Sequence, residues 1–150
     1  MTIEVRPLRE GDRQQWEALF EGYRRFYRLA PDSDVLSRTW GWIARRDHGI
    51  TGLAALAGDE LVGIAHMRLY ARPSAGRMSV FLDDLYTAPH ARGRGVAAAL
   101  VHEVAVRARD SGADTVRWIT ADDNTTARRV YDRVASVLPF VMYQMPPAQS

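Results

Sequence analysis

No cysteine occurs in this chain of 150 residues. Disulfides, thiolate metal ligands and a covalent intermediate on sulfur are therefore excluded. Lysine is missing too, so the 20 residues counted as lysine plus arginine are all arginine. They are scattered over several predicted helices, and 18 acidic residues bring the net charge to only +2. Scatter of that kind describes a solvated surface and not a nucleic-acid footprint, so no nucleic-acid partner is expected. No apolar run approaches the length of a membrane span, and no membrane contact is expected. The start, Met1-Thr2-Ile3-Glu4-Val5-Arg6, carries charges where a secretory leader would be apolar, which points to the cytoplasm. The four histidines, His48, His66, His90 and His102, lack metal-ligand spacing, so structural or solvated roles and no metal are expected.

What is present suits a globular core. Apolar residues make up 47% of the chain, an ordinary share, and the length fits one domain over 1–150 with 146–150 as a flexible polar tail. Ile3 to Leu8 reads as a strand. Trp16, Leu19, Phe20, Tyr23, Phe26 and Tyr27 recur at helical spacing over roughly 10–28. Ser33 or Asp34 can cap a second helix through about Arg46, with Val35, Thr39, Trp42 and Ile43 as its buried stripe. Three strands follow: Ile50 to Ala57, a turn at Gly58-Asp59-Glu60, Leu61 to Tyr70, and about Met78 to Thr87. An alanine-rich helix runs from Gly95 to about Asp110 and stops at Ser111-Gly112-Ala113. A strand at Thr115 to Thr120, a helix at Asn124 to Ala135 and a last strand at Phe140 to Met145 complete the order β-α-α-β-β-β-α-β-α-β. The fold class is α+β, a mixed and mostly antiparallel central sheet flanked by helices.

Chemistry concentrates where the third strand of the meander feeds a loop of arginines and glycines that opens a helix. Free backbone N–H groups there, with the positive end of the helix dipole, make an anion site. Gly93 and Gly95 let the backbone approach a diphosphate without a Cβ in the way, and Arg92 and Arg94 add positive charge. A glycine-rich helix start with solvated arginines is the plainer reading. A dinucleotide fingerprint also fits Gly93-Arg94-Gly95-Val96-Ala97-Ala98, with Asp122 and Asp123 after the next strand. Against it, the glycines lie several residues beyond the strand, and the antiparallel front half leaves too few parallel strands for a doubly wound sheet.

Arg92-Gly93-Arg94-Gly95-Val96-Ala97 resembles the R/Q-x-x-G-x-G/A motif of the Gcn5-related N-acetyltransferase family, with Ala97 where glycine is common. It is preceded by the Asp-Leu-Tyr strand end and a proline. Downstream, Asn124-Thr125-Thr126-Ala127-Arg128-Arg129-Val130-Tyr131 resembles the family's N-x-x-A-x-x-x-Y signature. The likeness covers nearly the whole chain and is nearest the small histone- and polyamine-acetyltransferase branch. It departs at Ser136-Val137-Leu138-Pro139-Phe140, where the family often has a Gly-Phe pair.

The resemblance implies acetyl-coenzyme A as co-substrate. Amides of Arg92, Gly93, Arg94, Gly95, Val96 and Ala97 would bind its pyrophosphate. Leu85, Tyr86 and Thr87 would pair with the pantetheine amides, with Asn124 and Ala127 on the same arm. Tyr131 would protonate the departing thiolate. An amine attacks only as the free base, so a carboxylate must take its proton. Asp83 stands where similar enzymes carry glutamate and is the expected base, acting through water, with Asp84 the alternative or a structural residue. Strand alternation would put the two on opposite faces. Tyr27, Trp40 and Asp84 are the candidate substrate contacts, because aromatics and carboxylates suit a cationic amine.

The expected activity is transfer of acetyl to a primary amine of a small molecule by direct attack in a ternary complex. A protein or peptide acceptor, or a coenzyme A-binding regulatory domain without turnover, are the alternatives. A homodimer is the expected assembly.

Overall fold

Two apolar runs separated by Gly58-Asp59 pair at the centre of a sheet in the computed structural model, which describes residues 2–149. The chain forms two compact units, Met1–Ile119 and Thr120–Ser150. In the first unit, β1 (Glu4–Pro7), β2 (Ile50–Ala57), β3 (Glu60–Arg72) and β4 (Arg77–Thr87) run antiparallel to their neighbours, and β5 (Val116–Arg117) joins β4 in parallel. The sheet order β1-β2-β3-β4-β5 is the mixed, mostly antiparallel arrangement expected from the sequence. Gly58, at φ +61°, turns β2 into β3.

The two faces of this sheet carry different helices. Helices α1 (Arg13–Phe26) and α2 (Ser33–Arg45) bring Trp16, Phe20, Leu36, Trp40 and Ile43 onto Ala54, Leu56 and Ile64. Helix α3 (Val96–Asp110) comes to the other face, where a Cβ built on Gly63 would stand 2.6 Å from Val96 Cγ1 and 3.1 Å from Leu100 Cδ1. Neighbouring residues on a strand point to opposite faces, so Ile64 and Gly63 define the two sides.

Two local details of α2 differ from expectation. Its cap is Asp32, whose Oδ1 accepts from the amides of Asp34 at 3.0 Å and Val35 at 3.2 Å. Asp32 is still extended, at φ −154°, so its side chain reaches over the first turn as a cap must. The buried stripe is Leu36, Trp40 and Ile43, one position out of phase with Val35, Thr39 and Trp42. Trp40 decides the phase by packing on Trp16 with ring centroids 5.1 Å apart.

The end of the chain departs further. The expected strand at Thr115 to Thr120 is only Val116–Arg117, and no strand forms at Phe140 to Met145. Phe140, Val141, Met142, Tyr143 and Met145 are all exposed. Apolar and β-prone residues make a strand only when a neighbouring edge supplies the ladder, and no described residue pairs with this segment. In the second unit, α4 (Thr125–Val134) is the one helix among the described residues. Residues 146–149 of the expected tail are exposed and irregular, and Ser150 lies outside the described residues. No described helix is long and apolar enough to cross a membrane.

Arg6 and Asp12 tie β1 to the start of α1 through a forked pair at 2.7 and 3.1 Å. The amide of Arg9 donates to the same carboxylate at 2.7 Å. The hydrogen bond from Arg6 holds the Asp12 carboxyl below the usual aspartate range, against the opposing effect of burial. A carboxylate whose folded-state pKa is depressed contributes stability above its unfolded value and loses it as pH falls through the folded one. Asp12→Ala is expected to cost about 3 kcal/mol at neutral pH by stranding a largely buried arginine. Urea denaturation across pH checks this: the gap between wild type and variant should close below the ordinary aspartate range.

Candidate active site

β4 organises the candidate site because its two edges are treated differently. One edge pairs with β3 along the whole strand. The other pairs with β5 only at Val80 and Phe81. Leu85, Tyr86 and Thr87 therefore keep an edge without a strand partner among the described residues, while their opposite edge is bound to Ala65, Ile64 and Gly63. Free edge amides and carbonyls can pair with an extended amide-bearing chain.

The chain then makes a tight turn, Pro89–Ala91, anchored where the Ala88 amide donates to Val62 O at 2.8 Å. Gly93 and Gly95 follow at φ +76° and +82°. That left-handed conformation strains any L side chain, and a Cβ built on either glycine would meet nothing within 4 Å. The space in front of this backbone is open. Gly95 caps α3 with no side-chain hydrogen bond, so the first-turn amides have neither an intrahelical acceptor nor a side-chain cap. An open loop, uncapped amides and an unpartnered strand edge lie in one continuous run, which fits a ligand carrying a diphosphate and an amide-bearing arm.

Tyr86 steadies the loop. Its ring lies over Gly22 of α1, where a Cβ would come within 2.8 Å of the hydroxyl. The Arg92 guanidinium sits 5.5 Å from that ring's centroid and donates through Nε to Thr87 O at 3.3 Å.

The two aspartates break the alternation expected of them. Register runs through His66↔Asp84 and resumes at Met67↔Leu82, so Asp83 is the extra residue of a bulge. Asp83 pairs with Arg68 Nε at 2.9 Å, and Asp84 Oδ2 lies 2.8 Å from His66 Nδ1. His66 and Arg68 are two apart on β3 and share a face, so both carboxylates project to the α1 side and not to opposite sides. The inserted residue is the physical reason.

Their surroundings differ. Burial lifts the Asp83 carboxyl above the usual aspartate range despite Arg68, and the neighbouring Asp84 charge adds to the rise. Burial pushes Asp84 up as well, but the hydrogen bond from His66, helped by the nearby Tyr23 hydroxyl, outweighs it and leaves Asp84 below the usual range. Burial and the Asp84 carboxylate push the Tyr23 phenol far above its ordinary value, so it stays a donor.

Of the candidate substrate aromatics, Tyr27 stands at the end of α1, 38% exposed, with its ring 4.9 Å from Tyr23. Trp40 does not line an open surface. It is 4% exposed in the core between α1 and α2, because a large ring beside Trp16 gains more from burial than from solvent. Sequence reasoning missed Arg68 and set His66 aside; only the register of β3 on β4 reveals either.

In the second unit, Asn124 caps α4. Its Oδ1 accepts from the Ala127 amide at 3.3 Å and its Nδ2 donates to Thr120 Oγ1 at 3.3 Å. Asn124, Ala127 and Tyr131, spaced by three and four residues, share the half-buried face of this helix.

Residues 16–135 match the Acetyltransferase (GNAT) family. The chain belongs to that family. It is similar to the D-amino-acid N-acetyltransferase HPA3 of Saccharomyces cerevisiae, with 27% identity over 95% of this chain and 89% of that protein. A thialysine N-epsilon-acetyltransferase of Caenorhabditis elegans is 32% identical over 57% of this chain and 52% of its own length. Among solved structures, AAC(6')-Iy in complex with a bisubstrate analog built on CoA superposes with a TM-score of 0.84. It is 20% identical and covers 99% of this chain and 100% of its own, so it supports the GNAT fold. This GNAT protein is an acetyltransferase, of a family that uses acetyl-coenzyme A.

Gly63 sets how closely α3, and with it the glycine loop, approaches the sheet. Gly63→Ala would drive a methyl to 2.6 Å from Val96 Cγ1 and 3.3 Å from Tyr86 O. The expected cost is about 1–3 kcal/mol of overpacking. Weaker acetyl-coenzyme A binding by calorimetry should accompany it, since the displaced residue Val96 opens α3.

Proposed function

We propose that this acetyltransferase moves the acetyl group of acetyl-coenzyme A to the primary amine of a small molecule by direct attack in a ternary complex. The observation that carries the reading is the run of β4 into α3. Two carboxylates on one face are followed by an unpartnered strand edge and then by an open glycine loop at an uncapped helix start. The relatives' activities, on D-amino acids and on thialysine, support a small amine as acceptor.

In this reading the amides from Arg92 to Ala97 hold the diphosphate, and the free edge of Leu85, Tyr86 and Thr87 holds the pantetheine arm. Bound acetyl-coenzyme A supplies an acetyl group activated as a thioester. The acceptor arrives as an ammonium ion. Asp83 takes one proton from it through a water molecule, the N–H bond breaks, and the nitrogen keeps the electron pair for attack on the carbonyl carbon. The leaving sulfur takes a proton, the role the family resemblance implies for Tyr131, and the second N–H proton, released as the amide forms, restores the donor. Asp83 suits the base because its elevated proton affinity lies nearer working pH than that of an ordinary aspartate. Its partly buried side chain still keeps 34% exposure, which leaves room for the water that its short reach requires.

Thiol release from acetyl-coenzyme A tests this, with D- and L-amino acids, polyamines, aminoglycosides and lysine peptides as acceptors. Release with a small amine is the expected result; release with peptides alone would favour a protein acceptor. Asp83→Asn should lower kcat/KM at least about 100-fold. Tyr131→Phe should slow kcat while acetyl-coenzyme A affinity stays near wild type. Because the base works only when deprotonated, activity should fall as pH drops through a pKa above the usual aspartate range.

A further inference from the structure

A buried polar chain runs from the core to the carboxylates. Trp16 is fully buried, and its indole Nε1 donates to His66 Nε2 at 2.9 Å. An indole N–H can only donate, so Nε2 presents its lone pair and the ring proton sits on Nδ1. That proton faces Asp84 Oδ2 at 2.8 Å. His66 cannot swing away, because it is 3% exposed and wedged against Phe20, with ring centroids 4.9 Å apart. The Tyr23 phenol lies near the same carboxylate, whose charge helps to hold its proton in place. Asp84 thus receives a donor from an immobile side chain, yet its own side chain keeps 23% exposure. Asp83, beside it on the same face, is held only by the half-exposed Arg68.

We propose that the Trp16–His66–Asp84 chain is a positioning device. It fixes Asp84 as an immobile carboxylate that seats the acceptor's ammonium group, leaving proton transfer to Asp83. The inference rests on the reading of Asp83 as the base of acetyl transfer, and it names the acceptor class as a cationic amine. A carboxylate held by a fixed donor is a poorer proton acceptor and a good fixed charge. Neighbouring carboxylates in unlike environments divide their roles in this way. The charged and titratable groups around Asp84 are Asp83 and Tyr86 on its own strand, His66 and Arg68 on β3, and Tyr23 and Tyr27 on α1. His66 is the positioning residue in this scheme, since it acts only through Asp84.

The test combines kinetics on the full chain with a nitrogen NMR signature. At pH 7, long-range proton–nitrogen correlation should show His66 with Nδ1 protonated and Nε2 bare. Asp84→Asn should raise KM for the amine about tenfold while kcat stays within a few-fold, whereas Asp83→Asn should lose kcat. His66→Phe should raise KM in the same direction. His66→Asn, which keeps a donor near the place of Nδ1, should restore most of it. Asp84→Asn preserves side-chain shape and remains decisive if His66→Phe fails to fold. An Nε2-protonated tautomer, or an unchanged KM in Asp84→Asn, overturns the proposal. Loss of kcat in Asp84→Asn with retention in Asp83→Asn overturns the base assignment instead and makes Asp84 the base.

Discussion

One extra residue in β4 governs the candidate site. Without the bulge at Asp83, successive residues of the strand would alternate, and one aspartate would point toward α3. With it, ladder pairing slips from His66↔Asp84 to Met67↔Leu82, and both carboxylates come to the α1 side. The parallel ladder with β5 also stops at Phe81, just before the bulge. Beyond that point the edge of Leu85 to Thr87 has no strand partner among the described residues, and the chain runs on into the Pro89–Ala91 turn and the left-handed glycines.

The aromatic layer of α1 and α2 works with that bend. Trp16, Phe20 and Trp40 form the centre of the core, and Tyr23, Tyr27 and Tyr86 extend it toward the surface. Burying His66 and Asp84 beneath such a layer would be costly if either were left unpaired. Among the described residues, no buried side-chain nitrogen or oxygen lacks a partner, so the polar chain is accommodated. The indole N–H of Trp16 is what makes this possible. It gives an apolar core one donor, placed where the histidine needs it.

Fold class and the strand-loop-helix run were legible because both rest on local signals. Apolar periodicity, the turn at Gly58-Asp59, and the glycines at 93 and 95 each act over a few residues, and the structure contains all three. Element ends were less so: Asp32 and not Ser33 or Asp34 caps α2, a choice made by one extended residue. The last strand was misread for a different reason. Residues 140–145 have strand-forming side chains, but a strand is a relation between two segments and no described residue supplies the second.

By itself, then, the sequence determined the order of the elements as far as α4, the glycine loop with free amides at a helix start and the presence of two adjacent aspartates. Tertiary structure alone decided that the aspartates share a face, that Asp84 belongs to a histidine while Asp83 belongs to an arginine, and that Trp40 is core. Those outcomes depend on the bulged register of β4 on β3, set far from the turn that joins them, and on rings packed between helices. Trp16 and His66, for example, are 50 residues apart along the chain. A shift of one residue in either alignment would reverse them, and no local residue preference records that register.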